Sequence, residues 1–459
     1  MAPTVRGQAT PFDLNAALAA AQPGDTIRVP AGEYPGPLVV DKSLVLEGAE
    51  GAVIQGPGDG DVVRLTAPDI TLRGFTVRGT GISLDREHAA ISVEAPGALV
   101  ENNYIEDALF GIYLKKAPNT VVRGNTILGK DLPISRRGDG LKVFYSDHSL
   151  LEGNTLRNSR DAIIWYSPHT AILNNVLDHG RYGLHLMQSD FHHIEGNVLR
   201  DNSVGIYLMY GTEFVLRNNL MLNNRGPSGY GLGLKEVDKT TIEGNGFVGN
   251  RVGIYNDLSP LRPETTIELA DNLFAYNEIG LLMLPNVKRN IFSGNNFVEN
   301  AEQVNISGSG VLADNEWAVD GRGNYWSDYV GYDADRDGVG DLPYATRSLY
   351  ESMLAKYPEL RLFQYSPATD ALDLAAKAFP VFQPRPIMAD PYPLVQQVET
   401  PPLPIAPGME PSSPLVGGAI SIALIGLALA LVAAGMRAFS TGRFVTKQAP
   451  LSRDARVSS

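Results

Sequence analysis

Apolar and polar positions alternate along most of this chain in runs of four or five residues, each closed by a Gly, Asn or Asp turn. Gly205-Ile206-Tyr207-Leu208-Met209 is one such run. Period-two alternation over so few residues predicts strands, because a helix needs a longer stretch at period 3.6. The runs themselves recur. GLHLMQSDFHHIEGNVLRDNSV, from Gly183, is followed by GIYLMYGTEFVLRNNLMLNN, from Gly205, with the same order of apolar, turn and Asn positions. Matching asparagines continue both ways as Asn103, Asn125, Asn154, Asn175, Asn197, Asn219, Asn245, Asn272 and Asn295, in steps of 22, 29, 21, 22, 22, 26, 27 and 23 residues. A second series follows four or five residues later at Asn158, Asn202, Asn224, Asn250, Asn277 and Asn300, with His179 as a substitute in the same place.

Self-similarity at a fixed period of this size predicts a solenoid. Leucine-rich repeats share the period, but their Leu-x-x-Leu-x-Leu pattern and per-repeat helix are missing. The expected fold is therefore an all-β, right-handed parallel β-helix of about 22-residue coils, the hand following from analogy with such folds. Asparagine recurring once per coil suits a left-handed backbone position, which Asn tolerates. Stacked about 4.8 Å apart, its side chains would also form an amide ladder.

The pattern changes at both ends. Phe12–Ala21 reads as a short amphipathic helix within an N-terminal cap over 1–24, placed to protect the first edge strands. Coils are expected over 25–320, with Leu46-Glu47-Gly48 and Leu72-Arg73-Gly74 as degenerate early copies. An Asp-rich motif and cap follow over 321–365, then a proline-rich, extended spacer over 366–414. Leu415–Ala434 is apolar except for Ser421, long enough to cross a bilayer within a span over 415–436. Arg437, Arg443, Lys447, Arg453 and Arg456 follow it, while the 20 residues before it hold no Lys or Arg. That bias puts the tail 437–459 in the cytoplasm and the solenoid outside. Met1-Ala-Pro-Thr lacks the regions of a signal peptide, so one was removed or lies upstream.

The net charge of −13 argues against a nucleic-acid partner, since phosphate binding needs a basic surface. With no cysteine, disulfides and thiolate metal sites are excluded. All seven histidines lie between His88 and His193. Aligning strands on Gly-x-x-Leu makes the column Ile112, Leu141, Ile163, Leu184, Ile206, Leu232, Ile254 point inward. Two columns then point outward: Tyr113, Lys142, Ile164, His185, Tyr207, Gly233, Tyr255, and Lys115, Phe144, Tyr166, Met187, Met209, Lys235, Asp257. His185, Met187 and Met209 thus share an outer face, within reach of one ion, with His192 and His193 in the next turn as further ligands. Imidazole with thioether selects copper, Cu(I) above all, over hard cations. The competing reading is a Met/aromatic face covered by a partner. His148 and His169 fall six residues before a ladder Asn and should stack in one turn column.

Asp333, Asp335, Asp337 and Asp341, with Gly338 at the sixth position, match the first part of a calcium loop, but Tyr344 replaces the bidentate Glu. A structural Ca²⁺ and a metal-free acidic turn both fit. Polysaccharide lyases, hydrolases and epimerases use solenoids too, but need paired carboxylates, or carboxylates beside a Lys or Arg base. The outer columns hold one carboxylate, Asp257, and Arg136, Arg137, Asp139 and Lys142 read as a solvated insertion. The expectation is therefore a non-enzyme, with a polysaccharide-acting enzyme and an adhesive surface solenoid as the rival classes.

At Gly323-Asn324-Tyr325-Trp326-Ser327-Asp328-Tyr329, the Asp-rich loop and Asp341-Leu-Pro-Tyr344, the chain resembles the NosD family. The strands of Gly183–Tyr255, and the stretches Tyr357–Ala368 and Phe379–Arg385, carry the same resemblance. It implies a periplasmic β-helix accessory protein that matures the copper enzyme nitrous oxide reductase. The implied partners are an ABC transporter ATPase and its membrane subunit, a copper chaperone lipoprotein that delivers the metal, and the reductase that receives it.

Overall fold

The structure, a computed structural model, describes residues 12–346 apart from 286, 309 and 313, together with 357, 359, 386–400 and 402–404. The alternating runs form three parallel sheets of 12, 13 and 12 strands, and successive coils give one strand to each. Sheet A starts at Thr26–Val29, sheet B at Gly32–Pro35 and sheet C at Leu38–Val40. Every third strand pairs in parallel with the one a coil before, giving a β-solenoid of about twelve turns. Inward positions stack like on like: Val122, Leu151, Ile172, Ile194, Leu216 and Ile242 are in register and almost fully buried. Each such side chain stabilises by about 1.5–3 kcal/mol.

The amide ladder is present from Asn103 to Asn324. Each ladder Asn donates its backbone N–H and, along most of the stack, its Nδ2 to the Oδ1 of the next, as from Asn175 to Asn197 at 2.9 and 3.0 Å. One detail differs from expectation. The left-handed position belongs to the residue before each ladder Asn: Gly124, Gly153, Asn174, Gly196, Asn218 and Gly244 have φ between 51° and 67°. Turning and bonding are thus divided between neighbours. The second ladder corrects the alignment similarly. Asn202, Asn224, Asn250, Asn277 and Asn300 form it, while Asn158 and His179, at φ 58° and 57°, take the turning position one residue earlier.

The Gly-Asn-Tyr-Trp motif closes the solenoid. Trp326 ends an inward stack, Phe247–Phe274–Phe297–Trp326, and Tyr344 lies on it at 4.3 Å between ring centroids. Asn324 is the last rung, and its acceptor is Asp390, fully buried 66 residues later. Asp390 also accepts from Trp326 Nε1 at 3.0 Å, and a Cβ on Gly323 would strike its carboxylate at 2.2 Å. Residues 386–400 and 402–404, part of the stretch expected as a spacer, pack along the solenoid. Ala389–Asp390 pairs with Tyr344–Ala345, Val398 exchanges hydrogen bonds with Asn296, and Leu403 fills the space above Gly246.

At the other end a helix spans Leu14–Ala20. Asp13 Oδ1 accepts from Ala16 N–H at 3.0 Å, and Leu14 and Leu18 are buried. Lys42 Nζ donates to the carbonyls of Leu18, Ala19 and Ala21, satisfying the helix's C-terminal acceptors. The expected membrane span over 415–436 and the tail after it lie outside the described residues. Among the described residues no helix is long and apolar enough to cross a membrane.

Candidate metal centre

Ion pairs between coils run along the outer faces of sheets A and B, and on sheet C join its early coils through Arg64–Glu94, Lys115–Asp61 and Lys142–Glu87. On sheet A, Arg73 pairs with Glu47 and Glu101, Arg123 with Glu152, and Arg217 with Glu243. On sheet B, Arg78 pairs with Glu33 and Glu106, and Asp178 with Arg157 and Arg200. Apart from those of the buried Asp178, these pairs are at least partly exposed, contribute little to stability and suit a solvated surface. Sheet C differs. Its middle coils present Phe144, Ile163, Trp165, His185, Met187, Tyr207 and Met209, and no outward Asp, Glu, Lys or Arg stands between Lys142 and Lys235 in those columns.

One coil corrects the sequence alignment. Leu141 pairs with Ala162, Lys142 with Ile163 and Phe144 with Trp165, so Ile164 points inward while Ile163 and Trp165 point outward. This coil enters its strand as Asp161-Ala162, without the Gly used as a landmark, and a bulge separates Asp161 from Ile163 against the next strand. From there on the expected register holds: His185 pairs with Tyr207 and Met187 with Met209.

His185, on the strand Tyr182–Met187, is 7% exposed despite facing outward. Tyr182 meets it edge-on at 5.0 Å and Tyr207 lies nearly parallel at 6.4 Å, between ring centroids. Tyr207 can extend over the next coil only because that column continues with Gly233, where a Cβ would come within 2.5 Å of the ring. His185 Nε2 stands 3.3 Å from Met209 Sδ. Its Nδ1 faces Asp161 Oδ2 at 3.5 Å and, though buried, forms no aligned hydrogen bond. Met187 lies two residues along the same strand and in register with Met209, about 6.6 and 4.8 Å away by strand geometry. Imidazole nitrogen and two thioethers fit a soft monovalent ion and reject Mg²⁺ or Ca²⁺.

Asp161 and its surroundings were not foreseen. It is 2% exposed, accepts from Arg181 through Nε at 2.9 Å and through the terminal nitrogen, and takes the Tyr182 N–H at 3.2 Å. Burial pushes its carboxyl up, but His185 and Arg181 outweigh that and hold it below the usual range. One coil earlier Asp139, also 2% exposed, is gripped by Arg160 at 3.0 and 3.2 Å. Here burial dominates and pushes the carboxyl up to about 6. Lys142 is buried as well and bonds Glu87, its ammonium 4.8 Å from the centre of the Tyr113 ring. The expectation of a solvated cluster at Asp139 and Lys142 is therefore wrong: Leu84, Leu132 and Phe144 pack against Leu109, Phe110 and Tyr113 here. Opposite charges one coil apart, Asp139 with Arg160 and Asp161 with Arg181, were the sequence signal for both pairs.

His192 and His193 do not join the cluster. They open the sheet A strand His192–Glu195, around the corner from sheet C. His192 is 1% exposed, with Nδ1 3.1 Å from Thr170 O and Nε2 2.8 Å from Ser189 Oγ, and burial lowers its pKa to about 4. His193 Nε2 pairs with Glu195 at 2.6 Å. His148 and His169 stack at 4.7 Å in one turn column, and Phe191 continues the stack. In the Asp-rich loop, oxygens of Asp333, Asp335 and Asp337 lie within 4.8 Å of one another. Asp341 is not part of that group; its Oδ2 accepts the Ala334 N–H at 2.8 Å and ties the loop's ends. Tyr344, where a calcium loop would end in Glu, is the ring stacked on Trp326.

Fold and face together define a parallel β-solenoid with one unlike face, where imidazole, thioether and aromatic groups lie over a buried carboxylate–arginine pair. The family model described as "Periplasmic copper-binding protein (NosD)" matches residues 124–331. "Probable ABC transporter binding protein NosD" of Stutzerimonas stutzeri is 31% identical over 397 residues, covering 80% of this chain and 86% of that protein. The protein so described from Pseudomonas aeruginosa is 31% identical over 401 residues, covering 82% and 89%. The chain belongs to the NosD family. Among solved structures, the A-module of the Azotobacter vinelandii mannuronan C-5 epimerase AlgE6 matches with a TM-score of 0.51 at 17% identity, over 67% of this chain and 93% of that one, a likeness of fold.

Proposed function

We propose that this chain is a non-catalytic, copper-handling scaffold of the periplasm that works with an ABC transporter to mature the copper sites of nitrous oxide reductase. The observation that carries the reading is His185 Nε2 at 3.3 Å from Met209 Sδ, with Met187 in register beside it, in the aromatic and thioether stretch of the sheet C face. Copper is cargo here. Neutral soft ligands hold Cu(I) and can release it, since no carboxylate or thiolate binds the ion directly. The relatives' printed descriptions, periplasmic copper binding and ABC transporter binding, support the cargo and the partner. The chaperone lipoprotein that delivers copper, the reductase that receives it and a membrane anchor over 415–436 complete the proposal. A polysaccharide-acting role is disfavoured because Asp139 and Asp161 are buried and each is already neutralised by an arginine.

The test is a Cu(I) titration of the wild type against the His185→Ala, Met187→Ala, Met209→Ala triple variant, using a competing chromogenic chelator. Loss of Cu(I) binding in the variant, with unchanged far-UV circular dichroism, is expected. Equal binding by both proteins refutes the site; lost transporter association with intact Cu(I) affinity supports the covered-face reading instead.

A further inference from the structure

A lone imidazole on a protein face exchanges its proton between two nitrogens, and only one of the two tautomers turns a lone pair toward a given neighbour. His185 is not free to exchange on equal terms. Its two nitrogens face unlike groups: Nδ1 faces a carboxylate oxygen of Asp161 at 3.5 Å, and Nε2 faces the Met209 sulfur at 3.3 Å. An ionised carboxylate is a strong acceptor and a thioether a weak one. If Nε2 carried the proton, the Nδ1 lone pair would confront carboxylate oxygen in a buried setting, where like partial charges repel most. With the proton on Nδ1 the ring points hydrogen at Asp161, and the Nε2 lone pair at the sulfur.

We propose that Asp161 is a positioning residue for the soft-metal site: it fixes the Nδ1–H tautomer and the ring plane of His185, leaving Nε2 and Met209 Sδ as two facing lone-pair donors. The inference rests on the copper-handling reading but adds a residue the ligand set does not contain. Three features prepare Asp161 for the task. It sits one coil before His185, at the bulge that separates it from Ile163, and its carboxylate stands 3.5 Å from His185 Nδ1. Arg181 and the Tyr182 N–H donate to its oxygens, and Arg181 balances the buried charge. Arg181 in turn lies 4.4 Å from the Tyr182 ring centre, and Tyr182 meets the His185 ring edge-on. Carboxylates in this relation to a ligating histidine change metal affinity by about 10–100-fold when removed.

The experiment uses the full chain, labelled with ¹⁵N-histidine, the His185 signals being assigned with His185→Gln. In the metal-free wild type above pH 7.5, Nδ1 should show the protonated-nitrogen shift and Nε2 the lone-pair shift. Asp161→Ala should move His185 toward the other tautomer and weaken Cu(I) binding about 10–100-fold. Asp161→Asn, which keeps volume and the Tyr182 N–H acceptor, should do so to a smaller degree and serves if the Ala variant fails to fold. Arg181→Met keeps the carboxylate but loosens it, and should shift the tautomer less than Asp161→Ala. A His185 tautomer unchanged in Asp161→Asn, or shifted equally by Arg181→Met, overturns the assignment and leaves Asp161 as the anchor of Arg181 alone. The tautomer is measured without copper. A wild type that binds no Cu(I) therefore refutes the proposed function, while an unmoved tautomer refutes this inference.

Discussion

Replacing Asn197 by Val in the middle of the ladder should cost about 3–7 kcal/mol, and the figure follows from the bonds lost. Asn197 is fully buried. Its Oδ1 accepts the Asn175 N–H at 2.9 Å and Nδ2 at 3.0 Å. Its Nδ2 donates to Ile172 O at 2.8 Å, Glu195 O at 3.1 Å and Asn219 Oδ1 at 2.9 Å. Valine strands the Asn175 N–H in the interior at about 1–3 kcal/mol, and the weakened acceptors add about 0.5–1.5 kcal/mol each. Backbone strain adds little, since Asn197 is not among the positive-φ residues; Asn218, with φ 51°, is. Position thus decides the effect of a given replacement. Asn218→Gly should be neutral or stabilising, as Gly196 and Gly244 already occupy equivalent turns, whereas Asn197→Gly should cost nearly as much as the valine. Urea unfolding followed by circular dichroism gives the global effect. Because solenoids open repeat by repeat, hydrogen exchange at the Asn175 amide gives the local one. A loss below about 1 kcal/mol with the Asn175 amide still protected would refute the ladder as a source of stability.

His192→Phe, which extends the column of Phe214, should flatten the acid limb of stability. Burial lowers the His192 pKa from 6.5 to about 4, so its contribution is complete above pH 6.5 and lost as pH falls toward 4. That shift is worth roughly 3 kcal/mol, and an unchanged slope between pH 6.5 and 4 in thermal melts would refute it. Asp390→Ala removes the terminal acceptor from Asn324 and Trp326; limited proteolysis should cut within 386–404, with red-shifted tryptophan emission. Resistance equal to wild type would show that Asp390 does not hold the segment down. Ca²⁺ should raise the melting temperature of the wild type and not of the Asp333→Asn, Asp335→Asn, Asp337→Asn variant. A wild type indifferent to millimolar Ca²⁺ would make the loop a metal-free turn.

The sheets were legible in the sequence because a solenoid repeats its own context. Asn197 marks its coil only because Asn175 and Asn219 stand one step away on either side, and the structure joins those three side chains directly. What a step count cannot supply is which neighbour does which task. The Gly196-Asn197 and Asn218-Asn219 pairs look like one motif, yet the first residue turns the chain and the second bonds the stack. The same ambiguity put Asn158 and His179 in the second ladder, one place from the residues that fill it. Closure at Asp390 was hidden for another reason: a contact 66 residues from its partner leaves no periodic trace.

The candidate site divides along the same line. His185, Met187 and Met209 could be placed together from the 22-residue step alone, because each strand opens with Gly and the pleat fixes the rest. His192 and His193 were drawn in by nearness along the chain, but a turn of the solenoid carries them to another sheet within five residues. Asp161 was missed because its coil lacks the glycine landmark, which moved Ile163 to the wrong face. That departure also brings a carboxylate within 3.5 Å of His185 Nδ1. A strand opened by Gly would carry no side chain at that entry position. With Asp161 there, held by the half-exposed Arg181, the face acquires a buried carboxylate that its aromatic neighbours alone would not require. An ion pair of this kind is weak evidence for stability, and its carboxylate stands beside the imidazole whose tautomer it is proposed to set.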